Sequence, residues 1–174
     1  MTRIAINGFG RIGRNVLRAL LERDSKLDVV AVNDLAGPVD LARLLAFDTT
    51  AGRLGRPVTA DGDSLVVDGR RITVLAEREP ANQPWAELAV DIVLEATGRF
   101  TSSAAARAHL AAGAGKVLVG APSDGATSRS RSGSTTTRTT RPGTGSSRAL
   151  RAPPTRSRRW PRCSTNWPAS STAS

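Results

Sequence analysis

Gly8, Gly10 and Gly13 stand in the spacing G-x-G-x-x-G within Ile6-Asn7-Gly8-Phe9-Gly10-Arg11-Ile12-Gly13, and the chemistry this spacing serves is the grip of main chain on a pyrophosphate. Gly8 permits a tight turn, Gly10 lets backbone approach phosphate oxygens, and Gly13 lets the following helix lie close to the preceding strand. Asn33-Asp34 follows about twenty residues later, at the distance where an acidic side chain meets the ribose of a bound dinucleotide. A carboxylate there accepts hydrogen bonds from a 2′-hydroxyl and repels a 2′-phosphate, so Asp34 points to NAD over NADP. Nothing comparable suggests catalysis or a metal. No cluster has metal-ligand spacing, and His109, the single histidine, follows an alanine-rich helical stretch and reads as a surface or packing residue rather than a base.

These residues need elements to position them. Ile4 and Ile6 lie in a short apolar run like that of a buried parallel strand, and Asn15 to Arg23 is periodic as a helix. The free N–H groups of that helix and its positive dipole end would face the phosphates. Val29 to Val32 predicts a second strand, and Val39 to Phe47, behind Gly37-Pro38, a short amphipathic helix. Pro57 to Thr59, Ser64 to Val67 and Arg70 to Leu75 are β-rich runs separated by Asp61-Gly62 and Asp68-Gly69, the signals of a small antiparallel meander inserted in the nucleotide fold. Val90 to Glu95 predicts a buried strand with Ala96-Thr97-Gly98-Arg99-Phe100 at its carboxyl end, where open parallel sheets bind ligands. A helix over Ala104 to Ala112, closed by Gly113, and a strand over Lys116 to Val119, leading into Gly120-Ala121-Pro122, complete the alternation. The fold class is α/β, a Rossmann-type doubly wound, mostly parallel sheet.

Three motifs in order, Ile6 to Arg14, then Asn33-Asp34-Leu35, then Glu95-Ala96-Thr97-Gly98-Arg99-Phe100, resemble the N-terminal half of glyceraldehyde-3-phosphate dehydrogenase. The likeness covers residues 2–125. The resemblance implies NAD as cofactor, with the Asn7-Gly8-Phe9-Gly10 loop and Gly13 forming the phosphate turn and Arg11 and Ile12 offering backbone to the pyrophosphate. It implies that Asp34 holds the adenosine ribose, that Arg78 and Phe100 flank the adenine, and that Thr97 and Gly98 line the cleft. Two departures stand out. Gly120 occupies the place of the family's usual serine before Ala-Pro, removing a hydroxyl near the nicotinamide ribose, and Phe47 to Leu54 is a loose version of the family's Asp-Ser-x-x-Gly-x-Phe.

Charge divides the chain. The net charge is +10 over 174 residues, yet residues 1–125 carry 15 acidic and 15 basic side chains, whereas residues 126–174 carry ten arginines and no acid. The second stretch has no Ile, Val, Phe, Met, Lys or Gln either, so it reads as a disordered basic tail that cannot offset its ordering entropy with a core. Arginine without lysine, beside Ser, Thr, Pro and Trp, is also what GC-rich DNA yields in a wrong frame. Joining the last base of each codon to the first two of the next lets Ala149 to Pro168 be re-read through Ser-Cys-Thr-Thr-Asn, the family's nucleophile motif, where the in-frame count places it. Residues 126–174 are therefore read as a frameshift product. Cys163, the only cysteine, imitates the motif by chance, since the re-read cysteine spans Arg151 and Ala152.

The resemblance implies a reaction in which a cysteine thiolate attacks an aldehyde, an imidazole activates it, hydride passes to the nicotinamide and phosphate displaces the acyl group. The chain is expected to lack both groups, to comprise an NAD-binding domain (1–125) without its catalytic domain, and to be inactive as it stands. An aldehyde substrate and the homotetramer that the family implies belong to a full-length form. The last parallel strand is expected to be missing, leaving an uncovered edge, an aggregation hazard and weak or absent binding of NAD. No apolar run is long enough to span a membrane and no signal peptide is evident, so a cytoplasmic location is expected. A nucleic-acid binder working through the arginines with Trp160 and Trp167 is the alternative. An NADP-linked or erythrose-phosphate relative is a third reading, which Asp34 disfavours in its NADP form.

Overall fold

The computed structural model describes residues 1–123. The expectations for residues 126–174, namely the frameshifted tail, the part played by Cys163 and nucleic-acid contacts through the arginines, fall outside the described residues.

The chain opens with β1 (Arg3–Asn7), buried from Ile4 to Asn7 as a central parallel strand must be. The helix α1 (Arg11–Glu22) starts four residues earlier than the apolar periodicity suggests, because Gly13 is itself buried in its first turn. After β2 (Asp28–Asn33) comes α2 (Pro38–Ala46), with Pro38 in its first turn, where a missing N–H costs nothing. A short hairpin of β3 (Phe47–Asp48) and β4 (Gly52–Arg53) follows. The meander β5 (Val58–Asp61), β6 (Ser64–Val67) and β7 (Arg70–Leu75) turns at Asp68-Gly69, both with positive φ, as a two-residue type I′ turn requires. A 3-10 turn at Pro80–Asn82 precedes β8 (Ile92–Glu95), then α3 (Ser103–Ala111) and β9 (Lys116–Val119). The Ser102 side chain caps α3 by accepting from the Ala105 N–H at 3.2 Å.

The sheet order is β5-β6-β7-β2-β1-β8-β9, and β7, β2, β1, β8 and β9 run parallel. The meander is thus no separate insertion: β7 pairs in parallel with β2, so β5 and β6 extend the main sheet at that edge. The chain leaves β1 toward β2 and later returns to β8 on the opposite flank, which makes the β1–β8 junction the point where the winding reverses. Alternation of side chains along the strands makes two apolar layers. One joins Ile4, Ile6, Phe9, Leu17, Val32, Leu41 and Leu45, and the other joins Ala5, Ala31, Trp85, Val90 and Val93. Burying each large side chain of this kind contributes about 1.5–3 kcal/mol. Among the described residues no helix is long and apolar enough to cross a membrane.

Candidate functional site

At the carboxyl ends of β1 and β8 the structure itself requires two of the three glycines, Gly8 and Gly13, and leaves open space at Gly10. Gly8 has φ of +90°, and a Cβ there would lie 2.6 Å from the Thr97 amide nitrogen and 2.8 Å from the Ala96 carbonyl carbon. A Cβ on Gly13 would run into the Gly8 carbonyl oxygen and lie 2.9 Å from Ile6 Cγ2, so Gly13 is what lets α1 touch β1. Around Gly10 there is open space, with nothing within 4 Å of where a Cβ would stand. Gly10 is the N-cap of α1, no side chain caps it and no acidic residue occupies the first turn. The first helical bond runs from the Arg14 N–H to the Gly10 carbonyl at 3.0 Å. The N–H groups of Arg11, Ile12 and Gly13 precede it and set the positive end of the helix beside the space at Gly10.

The loop is pinned from two sides. The Phe9 N–H donates to Asp34 Oδ2 at 2.9 Å, and the Phe9 carbonyl accepts from Arg14 Nη1 at 3.1 Å. The Phe9 ring is fully buried, so this residue anchors the loop to the core and to β2. Asp34 Oδ1 also accepts from the Ala36 N–H at 3.1 Å, and the carboxylate keeps lone pairs for further donors. Behind the loop, Asp48 accepts from the N–H groups of Thr50 and Ala51 at 2.9 and 3.0 Å and faces Arg14 at 3.7 Å. Those backbone bonds, from Ala51 and then Thr50, hold its carboxyl below the usual range. The loose motif at Phe47 to Leu54 therefore still supports the glycine loop.

The remaining candidates divide. Thr97 lies against Gly8, and Gly98, with φ of +72°, follows it. Gly120 donates its N–H to the Glu95 carbonyl at 2.8 Å and lies 3.7 Å, at the Cβ position, from Ile12 Cγ2, which brings it to the same crevice. Phe100 is half-buried, and Arg99 is a cation over its ring, at 6.0 Å from the centroid. Arg78 is exposed and follows Glu77. No group of three His, Cys, Asp or Glu side chains converges among the described residues.

The apolar and glycine patterns do not reveal a buried polar row beneath the crevice. Asn33, Asn7 and Glu95 are paired across β2, β1 and β8, each the last residue of its strand. Asn33 Nδ2 donates to Asn7 Oδ1 at 2.7 Å, and Asn7 Nδ2 donates to Glu95 Oε2 at 2.5 Å. Asn33 also exchanges bonds with the Glu77 backbone, donating to its carbonyl at 2.8 Å and accepting from its N–H at 2.9 Å. Of the two places open to His109, surface or packing, it takes the second: it is fully buried, with Nε2 2.9 Å from Glu95 Oε2 and Nδ1 accepting from the Trp85 indole N–H at 3.0 Å. Burial pushes the Glu95 carboxyl up, but the bonds from His109, Thr97 and Asn7 outweigh it and hold it below the usual range. The available sequence signal was the recurrence of a polar residue at the end of three apolar runs.

A family model described as glyceraldehyde 3-phosphate dehydrogenase, NAD binding domain, matches residues 2–103. The chain is 84% identical over 126 residues to a glyceraldehyde-3-phosphate dehydrogenase of Kitasatospora aureofaciens, covering 72% of this chain and 38% of that protein. It is 55% identical over 120 residues to the enzyme of that name from Streptomyces coelicolor, and 53% over 120 residues to that of Geobacillus stearothermophilus, covering 69% of this chain and 36% of each relative. The chain thus spans well under half the length of the curated relatives it matches.

Proposed function

The chain belongs to the family of glyceraldehyde 3-phosphate dehydrogenase NAD-binding domains, and on that premise we propose that residues 1–123 bind NAD in the crevice between the ends of β1 and β8. The observation that carries this reading is the empty space at Gly10 beside the uncapped start of α1. It fits a pyrophosphate, whose oxygens need close main-chain approach and several unpaired N–H donors. In this reading Arg11 and Ile12 supply backbone donors, and Asn7, Gly8, Phe9 and Gly13 hold the turn. Asp34 takes the ribose hydroxyls while keeping Phe9 in place, Thr97 and Gly98 line the cleft, Gly120 stands near the nicotinamide ribose, and Phe100 and Arg78 border the adenine.

NAD, when bound, supplies a hydride acceptor. The described residues contribute binding and orientation. They contain no cysteine, and their one histidine is buried against Glu95, so we assign no catalytic role among residues 1–123. Oxidation of an aldehyde, assembly into a homotetramer and a cytoplasmic location are proposals for a full-length form. Titration calorimetry of the purified chain with NAD and with NADP tests the reading. Saturable NAD binding is expected, weaker than that of an intact dehydrogenase, with NADP weaker again by about tenfold or more, the equivalent of roughly 1.4 kcal/mol of repulsion at Asp34. Absence of NAD binding, or a preference for NADP, would overturn it.

A further inference from the structure

The crevice has two walls, and the glycine loop accounts for only one. We propose that His109, oriented by Trp85, is a positioning residue for the other wall: it fixes the Glu95 carboxylate and, through it, the Thr97–Arg99 turn against which Gly8 packs. This inference rests on the reading of the crevice as the NAD site.

The bonds leave one arrangement of protons. An indole nitrogen only donates, so the Trp85 N–H at 3.0 Å requires a bare lone pair on His109 Nδ1. The imidazole proton therefore sits on Nε2 and points to Glu95 Oε2 at 2.9 Å. The Asn7 Nδ2 group, 3.4 Å from that same Nε2, faces a donor and gains nothing there, and it bonds Glu95 instead. With Oε2 held by His109 and Asn7, the other oxygen is turned to Thr97. Oε1 accepts from the Thr97 N–H at 2.8 Å and, in a short contact, from the Thr97 hydroxyl. The hydroxyl, its proton committed, presents a lone pair to the Arg99 N–H at 3.1 Å. The order is continuous from Trp85 to His109, Glu95, Thr97 and Arg99, and it ends at the wall facing the glycine loop.

A carboxylate buried this deeply has no water to replace a lost donor, so removing His109 must redistribute the remaining bonds, and the Thr97 turn is the part free to move. Simple packing by a buried imidazole would not require this: a leucine would fill the same space.

Amide exchange measured by NMR on the full chain without nucleotide reads the turn directly. In His109→Leu the Thr97 and Arg99 amides are expected to exchange about tenfold faster, the loss of about 1.4 kcal/mol of local protection, while amides in β5 and β6 keep wild-type rates. NAD affinity is expected to fall by a similar factor. His109→Gln, whose amide nitrogen can stand where Nε2 stands, is expected to restore both to within about threefold. Unchanged Thr97 exchange in folded His109→Leu overturns the proposal, as does a Gln variant no better than Leu. If His109→Leu does not fold, Trp85→Phe carries the test, since it removes the indole N–H that fixes the tautomer along with one ring of a buried side chain: faster exchange at Thr97 and Arg99 with wild-type rates at Ala5, Ala31 and Val93, which pack on the same ring, supports the role, and wild-type rates at Thr97, or equal acceleration at all five, overturn it. A wild-type chain that binds no NAD overturns the reading of the crevice, while the exchange rates still decide the role of His109.

Discussion

The two ends of the central sheet handle charge in opposite ways. Beside the amino ends of β2 and β7, Arg56 bridges Asp24 at 3.2 Å and Asp68 at 2.6 Å, and the three side chains are 32%, 87% and 48% exposed. The hydrogen bonds it donates to Asp68 and then Asp24 hold the guanidinium above its usual pKa, but it is charged at every working pH in any case. At the carboxyl ends, Glu95 is 2% exposed and His109 not at all, and both oxygens of the carboxylate are taken by protein donors. Solvated pairs such as those of Arg56 are exchangeable with water at little cost. The buried row has no such substitute, so its members are worth most as a set and most damaging when one is lost.

Breaking the buried end is expected to have the largest effect. Glu95→Gln turns an acceptor into a donor facing donors, and urea denaturation at neutral pH should show a loss of about 3 kcal/mol. The same variant sharpens the contrast in acid. Because the folded-state pKa of Glu95 lies below its unfolded value, the unfolded chain takes up the proton first as pH falls. The stability this group contributes is therefore complete above the ordinary value of 4.5 and is lost as the pH falls through the lowered one. Wild type should weaken across that window, and the Gln variant should show a shallower acid slope.

The next effect separates two glycines at the same end. Gly13→Ala forces a methyl into the Gly8 carbonyl and Ile6, for a loss of about 2 kcal/mol on overpacking grounds. Gly10→Ala meets nothing and has extended backbone open to any residue, so its denaturation midpoint should match wild type while calorimetry shows weaker NAD binding. Equal loss of stability in both would remove the distinction between packing glycine and ligand glycine. The smallest effect belongs to the other end. Arg56→Gln should move the thermal midpoint little at low salt and not at all at molar salt, where exposed pairs are screened. A large, salt-independent loss would show that the two ends are more alike than their exposure suggests.

Much of this was legible in the chain itself, for local reasons. Ser64–Val67, Arg70–Leu75 and Lys116–Val119 coincide with their apolar runs because turns or glycines bound them closely. The start of α1 was hidden, since Gly10, Arg11 and Gly13 carry no apolar period although the helix begins among them. The union of the meander with the main sheet depends on β7 lying beside β2, a pairing that no stretch of residues announces. The same holds for the polar row: residues 7, 33, 85, 95 and 109 meet only after the strand order brings β2, β1 and β8 together. The role of Phe9 was half legible, because the glycine spacing locates its backbone but says nothing of a ring buried in the core.

The pairing of β1 with β8 also has a consequence in time. Asn7 and Glu95 are 88 positions apart, and a ribosome adding about 5–20 residues per second needs roughly 4–18 seconds to cover that distance. For that interval the Ile4-Ala5-Ile6 segment has emerged with one flank unable to find its partner, whatever β2 has done on the other. The crevice, which needs both strands, does not exist until the wait is over. A nucleotide therefore cannot guide the early steps of folding and can only reward a sheet whose middle has already closed.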